Sequence, residues 1–138
     1  MELQKVTLKY NSKVGKYESD DVVLAQDSDY RLKTNIADLT NCIDKVKLLK
    51  PVSYNWNGLL GKPTDIVRHG FVAHELSEVI PQAVMGAKDA TKTDEDGNEN
   101  VIDPQQIEQK YIIPTLTKAL QEAIAKIETL ETKVAALE

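Results

Sequence analysis

Aromatic side chains are scarce in this chain, at 5% of 138 residues with a single Phe and a single Trp. Aromatics bring the most apolar surface per residue, so a core short of them is thin. Part of the stability is then expected to come from association between chains. Cysteine is scarcer still. Cys42 has no partner for an intrachain disulfide, and its place among Ile36, Leu39, Ile43 and Val46 marks it as filler on the apolar face of a helix rather than a nucleophile. No apolar run is long enough to cross a bilayer, and no charged stretch leading into an apolar one opens the chain. The expectation is a protein made in a cytoplasm with no membrane partner. A basic stripe is also missing: the net charge is −5 and Lys is interleaved with Glu and Asp. That argues against a nucleic-acid partner.

Metal and cofactor chemistry find little support. His69 and His74 lie five residues apart, which fits no usual helix-face site, and the lone cysteine adds nothing to them. The acidic run Thr93-Asp94-Glu95-Asp96-Gly97-Asn98-Glu99-Asn100 has oxygen ligands in number, yet its glycine does not fall at the sixth position of a calcium loop. A hairpin turn at Asp96-Gly97 is the better reading. Neither a metal nor a cofactor is expected, and Trp56 is expected to anchor the small core.

What the chain does contain is concentrated in Asp27-Ser28-Asp29-Tyr30-Arg31-Leu32-Lys33-Thr34-Asn35-Ile36, where a hydroxyl and a primary amine lie five residues apart at a change from extended to helical sequence. Serine is a nucleophile only if something takes its proton. Lysine can do so when its amine is neutral, a state favoured by burial or by a neighbouring positive charge, which Arg31 is placed to supply. The competing reading is an N-cap beside a solvated lysine.

Around this block the pattern divides in three. Residues 1–27 hold two short β-prone runs, Val6-Thr7-Leu8-Lys9-Tyr10 and Asp21-Val22-Val23-Leu24-Ala25, with a turn at residues 11–15. Two strands cannot bury a face alone, so they read as the end of a longer β-rich body. Residues 28–103 form a core: a helix carrying Ile36, Leu39, Ile43 and Val46 and stopping before Pro51, strands over Val52 to Trp56 and Val67 to Val72, and a short helix from His74 to Ile80 that Pro81 ends. The class is α+β. Residues 104–138 begin with Asp103 as a cap, Pro104 in the first turn and Gln106 behind it, and Pro114 then kinks or restarts the helix.

Beyond Pro114 a heptad pattern is present. Ile113, Leu120, Ile127 and Val134 share one position, and Leu116, Ala123, Leu130 and Leu137 the other. This is a coiled-coil seam of about three and a half heptads. Lys126 and Lys133 at g face Glu131 and Glu138 at e if the chains run parallel and in register. Ile124, at an e position, widens the apolar face, which is also what an amphipathic helix packed on its own domain would have. Branched residues at a with leucine at d favour two strands by the general rule.

The Ser28 block is followed in order by Leu49-Lys50-Pro51-Val52-Ser53-Tyr54-Asn55-Trp56, Gly70-Phe71-Val72-Ala73-His74-Glu75-Leu76, Pro81, Tyr111-Ile112-Ile113-Pro114 and Ala119-Leu120-Gln121-Glu122. From about Ser28 onward the chain resembles the self-cleaving C-terminal intramolecular chaperone domain of endosialidases and of phage tail spikes, fibres and neck appendages. The resemblance implies a homotrimer with parallel C-terminal helices, and it decides trimer over dimer. It also implies an upstream fibre or spike domain as partner, whose assembly the module guides before cutting itself off at Asp27–Ser28. Ser28 is then the nucleophile and Lys33 the general base of a serine autopeptidase, with Asp29, Asn35, His74 and Glu75 as orienting or proton-transfer groups. His74 replaces a glutamine often found before this glutamate. The released chaperone part would be absent from the mature virion. A noncatalytic trimerisation cap that stays attached is the alternative of another class. A regulatory coiled-coil adaptor leaves the Ser28 to Glu75 blocks unexplained, and the similar module of eukaryotic membrane-bound transcription factors lacks support in a chain without a membrane span or basic region.

Overall fold

A computed structural model describes residues 9–11, 16–18 and 27–138, and the chain divides into two compact units, Met1–Ala37 and Asp38–Glu138. In the first unit, β1 (Lys9–Asn11) pairs antiparallel with β2 (Lys16–Glu18), Tyr10 opposite Tyr17. The β-prone run expected at residues 21–25, and most of the turn at 11–15, lie outside the described residues. The unit then holds one 3-10 turn, Tyr30–Leu32, with Asp29 as its N-cap.

The second unit mixes α and β. In order it contains α1 (Cys42–Leu48), β3 (Val52–Tyr54), β4 (Arg68–Gly70), α2 (Ala73–Val79), β5 (Val84–Met85), β6 (Thr91–Lys92), β7 (Val101–Ile102), β8 (Gln106–Ile107) and the 24-residue α3 (Ile112–Ala135). The strands form antiparallel pairs, β3 with β4, β5 with β8 and β6 with β7. Leu76 and Ile80 lie four residues apart on one face of α2 and its cap, and with Ala83 and Ile112 they form the buried cluster. Leu49, Phe71, Val79, Val84 and Ile107 pack around it. Pro81 ends α2 as expected and opens a 3-10 turn, Pro81–Ala83, whose Ala83 carbonyl accepts from the Glu108 N–H at 2.8 Å.

Four expectations need correction. No helix forms over residues 36–41: α1 begins only at Cys42, because Asn41 before it adopts a left-handed φ of 55°, a conformation asparagine tolerates and a helix does not continue. Ile36 is left 71% exposed, while Cys42 is fully buried at the first residue of α1. Asp103 and Pro104 do not start a helix either. Two residues later Gln106 and Ile107 join a ladder with Met85 and Val84, so long-range pairing overrides a local capping signal. Pro114 instead sits in the first turn of α3, where its missing N–H would have no partner in any case.

Trp56 is no core anchor. Half-buried, it meets Tyr54 edge to face at 5.3 Å and takes the Lys62 ammonium over its ring at 4.2 Å. The hairpin expected around Asp96-Gly97 is present between β6 and β7, but its loop is longer than a two-residue turn. Gly97 at φ +83° donates its N–H to the Asp94 carbonyl, and the Asp94 carboxylate accepts from the backbone N–H groups of Asp96 and Asn98 and from the Asn98 amide at 2.9 Å. The acidic loop thus uses its oxygens to hold its own backbone.

α3 carries two stripes. Ile112, Thr115 and Ala119 are buried, and half-buried Glu122 accepts from the Cys42 backbone N–H at 2.8 Å, tying α3 to the start of α1. Ile113, Leu116, Leu120, Ile124, Ile127, Leu130, Val134 and Leu137 are all exposed.

Leu76→Ala removes the largest fully buried side chain and is expected to cost about 2–5 kcal/mol, read as a lower urea midpoint with an unchanged slope. The Asn98 amide, then the surrounding backbone N–H groups, hold the Asp94 carboxyl below the usual aspartate range. The order this supports is complete above that range and is lost as pH falls through the lowered value. Carboxyl NMR titration should give Asp94 a midpoint below an ordinary aspartate, and Asn98→Ala should raise it.

Candidate active site

Ser28 and Lys33 flank the 3-10 turn. The turn is closed by the Leu32 N–H on the Asp29 carbonyl and the Lys33 N–H on the Tyr30 carbonyl, each at 3.1 Å. A single turn followed by extended backbone at Lys33, φ −117° and ψ 148°, folds the lysine back along the segment. Lys33 Nζ reaches Ser28 Oγ at 2.6 Å. That separation is within the range needed for proton transfer between a hydroxyl and an amine. Both residues are exposed.

Arg31 does something other than what the sequence suggests. Its Nε and Nη2 donate to the two oxygens of Asp29 at 2.9 and 2.8 Å, and its backbone N–H donates to the same carboxylate at 2.9 Å. The side-chain bond from Arg31, and then its backbone N–H, hold the Asp29 carboxyl below the usual range, while Asp29 raises the guanidinium in turn. Its charge is therefore matched by a carboxylate, and Arg31 is not a free cation available to favour a neutral amine at Lys33. Sequence reasoning missed the pairing, although Asp29-x-Arg31 across a capped turn was the available signal. Asn35 follows in the left-handed region, φ +53°.

His74 and Glu75 belong to the second unit, in the first turn of α2. Glu75 accepts from Lys50 at 3.4 Å, a partner that sequence alone did not suggest. His74 lines an open cleft of about 530 Å³ with Ser77, Glu78, Val84, Lys88 and Gln105, and its carbonyl accepts from the Ser77 hydroxyl at 2.7 Å. Ser28, Asp29 and Lys33 thus form one local group, and His74 and Glu75 another on α2. Among the described residues no cluster of three or more His, Cys, Asp or Glu could hold a metal ion, and no helix is long and apolar enough to cross a membrane.

Residues 28–85 match the family described as chaperone of endosialidase. The chain is also similar to the long tail fiber protein Gp37 of Enterobacteria phage K3, with 31% identity over 107 residues, covering 78% of this chain and 8% of that protein. For the Gp37 protein of Enterobacteria phage T2 the identity is again 31% over 107 residues, covering 7% of that protein. The chain spans less than a tenth of the length of either relative.

Proposed function

We propose that the chain is an intramolecular chaperone for a phage tail fibre or spike that precedes it, that it acts as a parallel trimer, and that it releases itself by cutting the Asp27–Ser28 bond. The observation that carries the chemistry is the 2.6 Å approach of Lys33 Nζ to Ser28 Oγ. Neutral Lys33 takes the hydroxyl proton as Ser28 Oγ adds to the Asp27 carbonyl carbon. The C–N bond then breaks, the Ser28 nitrogen receives a proton, and an ester joins Asp27 to Ser28 Oγ. Water hydrolyses that ester to an Asp27 carboxylate and a chain that begins with Ser28. Direct attack by water on the same carbonyl gives the same products. Asn35, His74 and Glu75 remain candidate orienting groups.

Association is supported by the division of α3. The residues that pack on its own domain, Ile112, Thr115, Ala119 and Glu122, are not heptad residues, and every heptad residue except half-buried Ala123 is exposed. At about 100° per residue the two stripes lie roughly a quarter turn apart. Every residue from 124 to 138 is exposed, and an isolated helix of that length is marginal in water. Parallel copies joined along the heptad seam would bury what one chain leaves open. On this reading the precursor is made in the host cytoplasm, and the chaperone part leaves before the virion is complete.

A second reading is favoured by one observation: Ser28 and Lys33 are exposed and Arg31 is matched by Asp29, so a single chain offers little to keep the amine neutral. A noncatalytic cap would have the same α3 and would remain attached.

Incubated full-length protein should yield a fragment starting at Ser28. Ser28→Ala and Lys33→Ala should leave one uncut band on a denaturing gel, and cutting in either variant removes the pair from the mechanism. Sedimentation of the uncut Ser28→Ala protein should return a trimer, and Leu120→Asp with Ile127→Asp should return monomers with the head still folded. A monomer in the parent at high concentration overturns the association.

A further inference from the structure

Resting on the self-cleavage reading above, we infer that Asp29 and Arg31 act as one positioning unit for the Ser28–Lys33 pair, and that Arg31 contributes shape rather than free positive charge. The turn between Ser28 and Lys33 is three residues long, and none of its residues is buried. Backbone bonds alone close it only at Leu32 and Lys33. The Asp29 carboxylate adds three more contacts, all to Arg31: the backbone N–H at 2.9 Å, Nε at 2.9 Å and Nη2 at 2.8 Å. One carboxylate therefore caps the turn and also clamps the side chain projecting from its middle residue.

The fork geometry is specific to arginine, because a planar guanidinium presents two parallel N–H groups to two carboxylate oxygens and an ammonium does not. Asp29 immediately follows Ser28, and Arg31 lies two residues before Lys33. Fixing them relative to each other fixes the rotation of the backbone between nucleophile and base. Reaction rates are sensitive to such orientation, and a displacement of about 1 Å can cost about a hundredfold.

The test uses the full 138-residue chain, with conversion to the Ser28-initiated fragment followed by mass. Asp29→Ala and Arg31→Ala should each slow cutting by about ten- to a hundredfold, with trimer content and melting temperature unchanged. The double variant should be no slower than the slower single one, since both remove the same clamp. Arg31→Lys keeps a charge but loses the fork, and should be as slow as Arg31→Ala; the pH midpoint of the residual activity should stay at the parent's value in all of them. Parent-like rates in the single variants, multiplying losses in the double variant, or full activity in Arg31→Lys would overturn the inference. A shifted pH midpoint in Arg31→Ala would also do so, since it would mean that the charge itself acts on the base. If the parent never cuts, the self-cleavage reading fails by itself. The clamp is then read from the Arg31 Nε–H resonance, which should be protected from exchange in the parent and lose that protection in Asp29→Ala; an unprotected resonance in the parent rejects it.

Discussion

The second unit depends on the first three turns of α3. Ile112 is buried in the cluster with Leu76, Ile80 and Ala83, Thr115 and Ala119 follow at successive turns, and Glu122 accepts the N–H of Cys42 at the start of α1. These contacts do more than stabilise the head. A helix is a rigid cylinder over a few turns, so fixing the azimuth of four of its residues fixes that of all the others. Once this stripe is committed to the domain, the heptad residues must lie beside it and face outward. Ala123, itself a heptad residue, is half-buried and small enough to lie where the two stripes adjoin.

The Glu122 contact also answers a problem of α1. That helix has seven residues and begins after a left-handed Asn41 whose side chain makes no capping bond. Its first N–H groups would otherwise rely on water. A carboxylate from α3 supplies one acceptor where the helix dipole favours negative charge. The result is a head and a long helix that share a polar link as well as an apolar core, so the orientation of the exposed seam is coupled to the packing around Cys42.

Much of this was legible in the sequence wherever local chemistry decides the outcome. Pro81 ends α2, Gly97 sits in the positive-φ position of its hairpin loop, and the spacing of Ser28 and Lys33 across a turn brings them within hydrogen-bond distance. The failures share a cause. Ile36 and Leu39 continue the helical spacing of Ile43 and Val46, but periodicity carries no information on whether Asn41 will take the left-handed conformation that separates them. Asp103-Pro104-Gln105-Gln106 is a sound capping signal that loses to the ladder between Ile107 and Val84, a partner 23 positions back whose pairing no local pattern encodes. Two residues from Lys33 in sequence, Arg31 has the place of a charge acting on the amine, whereas the turn hands it to Asp29. Heptad spacing alone points to a coiled-coil seam, and only the structure adds that Ile113, Leu116, Leu120, Ile127, Leu130, Val134 and Leu137 are exposed while Ile112, Thr115 and Ala119 are buried.

The chemistry and the association have different physical requirements, and this bears on their order. The Ser28–Lys33 approach is made within six residues by a capped turn, so it requires no partner to form. What one chain does not provide is a low-dielectric environment for the amine, since both residues are exposed and the nearest guanidinium is matched by Asp29. A lysine base becomes effective when water is excluded around it. Under the proposed function, a neighbouring copy would supply that exclusion. Assembly would then govern the rate through environment and not through geometry: the pair is set early and becomes reactive once covered. A module whose cutting waited on geometry would instead have its nucleophile and base on distant elements, brought together only by folding. Under the proposed function, the local construction seen here would let the chain stay intact until copies assemble around the pair.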